Sequence, residues 1–219
     1  MTALADFLLM FAAAEPRDER LPLALQDDEE PRVSLSLVQR FGVLDGDLGG
    51  GAGYEDFFDA GYGIGLEVDY LMPSGMGWSY GPYFSVGGEF FTGQEETVGG
   101  VRFEADSLKI FNVLAGFKGI ARIDRRFLLE PRLGVGLSHI FSTDAEEAAT
   151  GASFDFLDAS TEIAAESGLR AVFELGGSCK LDFGAGLRLR GSAEEGEVPQ
   201  VNPGTMVQYF LELGLGLRF

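Results

Sequence analysis

The chain is short of the residues on which disulfide-stapled and metal-bound domains rely. Of its 219 residues one is a cysteine, Cys179, and one is a histidine, His139. A single thiol builds no disulfide framework within one chain. One thiol with one imidazole makes no multi-histidine or cysteine-rich metal site. Positive charge is scarce as well: 16 Lys and Arg stand against 35 Asp and Glu, a net charge of -19. That balance argues against nucleic acid as a partner, because phosphate contacts need a basic surface. No stretch reaches the roughly 18 consecutive apolar residues of a transmembrane helix. This last absence says nothing of transmembrane barrels, whose lipid-facing residues occupy alternate positions and never form a run.

What is present points to strands. Hydrophobic residues make up 46% of the chain, with 19 Phe and 32 Gly, so the composition is not that of a disordered segment. Glycine weakens a strand, so its abundance needs a positional explanation. The final stretch supplies one. Its odd positions are Val207, Tyr209, Leu211, Leu213, Leu215, Leu217 and Phe219; its even positions include Gln208, Glu212, Gly214, Gly216 and Arg218. Period-2 alternation marks a strand with one apolar and one polar face. The run exceeds the usual soluble strand of about 5–6 residues and suits a tilted strand crossing a bilayer.

Seven earlier stretches repeat the pattern, at about residues 32–42, 58–72, 77–92, 103–119, 127–141, 160–175 and 178–190. The fourth is the least regular, and the face of its first half is ambiguous. The connections alternate: long over 43–57, 93–102, 142–158 and 191–204, short over 73–76, 120–126 and 176–177. An up-and-down membrane barrel has short turns on one side and long loops on the other. Gly176-Gly177 is a two-residue hairpin signal.

A soluble lipocalin-like barrel also has eight alternating strands, with its apolar face inward. The glycines separate the two readings. Gly61, Gly63, Gly65, Gly134, Gly136, Gly184, Gly186, Gly214 and Gly216 all fall on the polar face. Small residues suit a narrow eight-stranded lumen rather than a solvated wall. The expected fold is therefore all-β, an eight-stranded antiparallel up-and-down transmembrane β-barrel. Charges of both signs share the inward face, and buried charges persist when paired. The expected lumen ion-pair network comprises Glu67, Asp69, Glu89, Glu130, Arg132, Glu166, Arg170, Lys180, Asp182, Arg188, Glu212 and Arg218, giving a plugged interior. Tyr62, Tyr70, Trp78 and Tyr80 lie near strand ends, as an aromatic girdle requires.

Together the eight strands, the alternating connections and the terminal Phe219 resemble the small eight-stranded bacterial outer-membrane barrels, the class of the OmpA transmembrane domain and OmpX. The resemblance covers about 32–219. It implies an outer-membrane location, membrane lipid and lipopolysaccharide as surroundings, and recognition of Tyr209 and Phe219 by the barrel-assembly machinery. Both barrel ends would then lie on the periplasmic side, with the long acidic loops outside the cell. Residues 1–14 fit a truncated signal peptide, with an apolar core and an Ala12-x-Ala14 site but no basic start; a short helix is the alternative. Residues 15–31 fit a flexible periplasmic linker.

No catalytic, cofactor or metal residue is expected. Outer-membrane lipid A deacylases carry a His and a Ser two positions apart on a lipid-facing strand. Here the position two beyond His139 is Phe141, and Ser138 lies on the other face. The run Gly49–Gly53 lacks the lysine and the strand-to-helix setting of a phosphate loop, and is expected to be a flexible loop. The acids Asp144, Glu146, Glu147, Glu194, Glu195 and Glu197 could collect Ca²⁺, but are expected as solvated charge, with divalent bridges to lipopolysaccharide as an option. Three functions follow: a structural or surface-interaction barrel, a lipid-modifying enzyme of the outer membrane, and a soluble ligand-binding barrel.

Overall fold

The computed structural model describes residues 31–49, 51–74, 78–98, 100–124, 126–176, 178–198 and 201–219. The expected signal peptide and almost all of the expected linker lie outside the described residues. The strands are β1 (Arg32–Asp45), β2 (Asp47–Gly49), β3 (Ala52–Gly53), β4 (Phe58–Pro73), β5 (Trp78–Gly93), β6 (Glu95–Val98), β7 (Val101–Ala105), β8 (Leu108–Arg122), β9 (Phe127–Ile140), β10 (Thr143–Glu147), β11 (Ser153–Asp158), β12 (Ser160–Gly176), β13 (Cys179–Ser192), β14 (Glu194–Glu195) and β15 (Thr205–Arg218). A single helical turn, α1 (Tyr54–Phe57), precedes β4. Among the described residues no helix is long and apolar enough to cross a membrane.

The eight long strands close into one antiparallel barrel in the order β1-β15-β13-β12-β9-β8-β5-β4. Closure satisfies the backbone groups of every barrel strand without leaving an edge. The register fixes the tilt. From Gln39 one path runs through Ile64, Gly88, Phe111 and His139 to Thr161 on β12. The opposite path runs through Leu213 and Phe183 to Ala171 on the same strand. The two arrivals lie ten residues apart, a stagger that goes with the steep end of the roughly 35–45° tilt range of barrels.

Burial follows the alternation. The wall exposes Ile163, Leu133, Leu211 and Val135 at 64–75%, while Arg132, Arg170 and Arg188 inside are 0–2% exposed. The soluble-barrel alternative requires the reverse polarity, so the faces stand as the glycines imply. Glycine has a specific use inside: a Cβ on Gly184 would lie 2.8 Å from both the Arg170 Cγ and a Glu212 carboxylate oxygen.

The long connections differ from the open loops expected. β14, β11, β10, β7 and β6 form a second, five-stranded sheet over the end of the barrel opposite the short turns. Asp47 pairs with Gly53 and Gly49 with Ala52 in the β2–β3 hairpin, where an unpaired loop was expected. This cap has its own apolar core. Leu48, Phe57, Phe91, Phe156 and Leu157 are fully buried there, and the Phe57 and Phe156 rings lie 4.6 Å apart. The acidic stretches bury these side chains because Val, Phe and Leu recur within them at strand spacing. The fourth expected strand divides accordingly: Val101–Ala105 belongs to the cap sheet and Leu108–Arg122 to the barrel.

Candidate functional site

The lumen is the most chemically dense part of the molecule. Inward positions on all eight barrel strands carry seven acidic and seven basic side chains, all buried: Glu67, Asp69, Glu89, Glu130, Glu166, Asp182 and Glu212, with Arg40, Lys118, Arg132, Arg170, Lys180, Arg188 and Arg190. The formal sum is zero, in a chain whose total is -19.

The charges fall in layers. Nearest the short turns, Leu71, Ile120, Leu128 and Val172 form a small buried apolar cluster. Above it Lys118 Nζ lies 2.6 Å from Asp69 Oδ2, 3.0 Å from Glu67 and 3.2 Å from Glu130. Ser34 donates to Asp69 at 2.8 Å. Lys180 sits in the same layer, 3.5 Å from Asp182 and 3.8 Å from Asp69. At mid-height Arg170 donates to Glu67 at 2.6 and 2.8 Å and to Glu212 at 2.6 Å. Arg132 joins Glu67, Glu166 and Glu212 within 2.9 Å. Toward the cap Arg188 spans Glu89 and Glu166, and Arg190 holds Glu89 and donates to Gln208 at 2.7 Å. The Phe210 ring, also inward, faces the guanidiniums of Arg40, Arg132 and Arg188 at 5.4–5.9 Å. Charge-assisted, partly bidentate contacts of this kind are the strong class of hydrogen bond.

Eleven of the twelve lumen residues expected from sequence meet here. Arg218 does not: it pairs with Glu174 at the short-turn rim, where β15 leaves the barrel. Lys118, on the inward parity of β8, joins the eleven, and Arg40 and Arg190 complete the network without having been assigned to it. Their signal was the inward parity they share with Ser36 and Arg188. Tyr70, Trp78 and Tyr80 are exposed at the short-turn end, Tyr62 and Tyr209 at the cap end. Phe219 is exposed, its backbone N–H donating to the Val33 carbonyl at 2.9 Å.

Two polar sites lie outside the lumen. On the outer wall His139 Nδ1 and Thr161 Oγ1 are 2.9 Å apart across β9 and β12. Within-strand spacing could not reveal this pair. Phe141 packs edge-on to the imidazole at 4.7 Å. In the cap, like charges face one another: Glu104 is opposite both Glu95 and Glu146, and Asp144 is opposite Asp155. Partial desolvation, a hydrogen bond with Asp155 and the charges of Asp155 and Asp106 push the Asp144 carboxyl above its ordinary pKa. Among the described residues no group of three or more His, Cys, Asp or Glu is arranged to hold a metal ion.

No protein-family model matches the chain, and no curated protein matches it by sequence. Solved structures do match by fold. The attachment invasion locus protein Ail of Yersinia pestis, in complex with the heparin analogue sucrose octasulfate, superposes with a TM-score of 0.50 at 17% identity, over 87% of this chain and 99% of that one. The outer membrane protease OmpT of Escherichia coli gives 0.50 at 9% identity, over 89% and 98%. Neisserial surface protein A gives 0.47 at 13%, over 85% and 97%. The chain has the fold of bacterial outer-membrane β-barrels. Likeness at these identities is of fold and transfers no site.

Proposed function

We propose that this protein is an integral outer-membrane barrel with a plugged, ion-paired lumen, whose acidic cap faces outward and works in cell-surface structure or interaction. One observation carries the reading: the wall is apolar and exposed while the interior is charged, paired and buried. That polarity suits a hydrocarbon surround and is ruinous in water. The plug is supported by the apolar clusters at both ends of the charged layers. The first test is fractionation followed by a detergent gel of boiled and unboiled samples. Recovery in the outer-membrane pellet with a heat-dependent mobility shift is expected. Recovery in the soluble fraction without a shift overturns the proposal.

The cap supplies the interaction chemistry. Residues 45–59, 92–109, 139–163 and 191–207 hold eighteen Asp and Glu against Arg102 and Lys109. Such a surface repels polyanions and attracts cationic groups or divalent ions. Ail was solved with a heparin analogue; here the charge favours the opposite class of ligand. Vesicles bearing the protein should bind polylysine in low salt and release it as salt rises, and should not bind heparin. Lipid and lipopolysaccharide are the proposed surroundings. Tyr209 and Phe219 are the proposed signal for the barrel-assembly machinery.

The runner-up is a lipid-modifying enzyme, favoured by the His139–Thr161 hydrogen bond on the outer wall. A hydroxyl beside a base is the start of a nucleophilic site. Release of acyl chains from outer-membrane lipid by purified protein, lost in Thr161→Ala, would move the reading to this class.

A further inference from the structure

The middle of the outer wall is almost wholly apolar, and Gln39 interrupts it. On β1 the outward positions run Val33, Leu35, Leu37, Gln39, Phe41, Val43. Gln39 stands opposite Leu213 on β15 and Ile64 on β4. Its side chain is exposed, and no described residue hydrogen-bonds the carboxamide. With a strand rise of about 3.3 Å and a tilt of roughly 40°, it lies about 10 Å inside the nearer edge of the apolar run. Two methylenes do not carry a carboxamide over that distance to the headgroups. An unpaired amide in hydrocarbon is costly. The other polar group at this depth, Ser167 on β12, is half-buried and carries a single hydroxyl where Gln39 carries a carboxamide.

We propose that the β4–β1–β15 face is an interface between two copies of this chain, joined by a hydrogen-bonded pair of Gln39 carboxamides. The inference rests on the membrane-spanning reading above. A carboxamide carries donors and an acceptor and so complements itself. Two copies inserted in the same direction are related by a two-fold axis along the membrane normal. That axis preserves depth, so a residue on it meets its own counterpart at the same height. The surrounding surface suits the contact: Leu37, Phe41, Ile64 and Leu213 are exposed and apolar. Charge does not oppose it. The outward positions of β1, β4 and β15 along the apolar band carry no Asp, Glu, Lys or Arg, although the chain as a whole is strongly acidic. Polar groups act as association devices between membrane segments for this reason.

The test uses the full chain in a Cys179→Ala background, reconstituted in phospholipid vesicles. Gln39→Cys treated with a mild oxidant should give a dimer-sized, reductant-sensitive band. Ser167→Cys, three strands away around the wall, should stay monomeric. A monomeric Gln39→Cys, or equal cross-linking from both positions, overturns the proposal. So does cross-linking of Gln39→Cys in native membranes to a protein of another mass. Independently, Gln39→Leu should raise the dimer dissociation constant in detergent about 3- to 30-fold, measured by energy transfer between labelled copies; an unchanged constant also overturns it. Heat-modifiability separates the two levels. A retained shift without dimers rejects the interface alone, whereas a parent protein without a shift rejects the membrane reading.

Discussion

At the scale of single residues, Arg170 is one of the cations that hold the middle of the lumen together. It contacts Glu67, Glu130 and Glu212. Replacing it with Met leaves three carboxylates to share Lys118, Arg132 and Arg40. Removing one member of a buried ionic network costs about 3–5 kcal/mol, because the charges left behind lose compensation. Arg170→Met should therefore shift the urea midpoint of the barrel downward, followed by fluorescence of the single tryptophan, Trp78. Asp144 behaves in the opposite sense. Its carboxyl is pushed up beside Asp155 and Asp106. A folded state that holds a proton more tightly than the unfolded chain gains stability as pH falls through the folded-state pKa, and the gain is complete below the unfolded value. The cap should resist protease better in mild acid than at pH 7. Asp144→Asn should confer that resistance at pH 7 and flatten the pH dependence.

At the scale of elements, barrel and cap are two kinds of structure on one set of strands. The barrel strands hold apolar side chains out and charged ones in; the cap buries apolar side chains as a soluble sheet does. Phe156 is fully buried between Phe57 and Phe58. Phe156→Ala should destabilise the cap by about 3–5 kcal/mol. Intact cells would then show faster external proteolysis while the boiled-versus-unboiled gel shift persists. The same division explains what the sequence reveals. The eight barrel strands were legible because hydrocarbon on one side and a narrow lumen on the other impose strict alternation. The cap was not, because acids and glycines such as Asp47, Gly49 and Glu146 carry the signature of loops. The signal lay in Phe103 with Ala105, and Phe154 with Phe156, at strand spacing inside acidic stretches. Lumen membership followed from parity, but partners such as Arg188 with Glu89 did not. Those depend on the stagger of the whole barrel, which no single strand encodes.

At the scale of the molecule, a neutral, internally bonded lumen lies between two apolar clusters. Planar bilayers containing the protein should show flat current records under moderate voltage. Discrete conductance steps would mean that the cap or the ionic layers open. The barrel itself is closed by the ladder between its first and last strands, where Ser34 meets Arg218 and Asp45 meets Val207. This has a consequence for biogenesis. The strand that seals the cylinder, β15, follows the other seven barrel strands in the chain, so no segment that stops short of it reaches a closed state. Until then every nascent intermediate has two open edges and a wall that repels water. Those edges are covered only when the two ends of the strand order meet, so closure couples residues far apart in the chain.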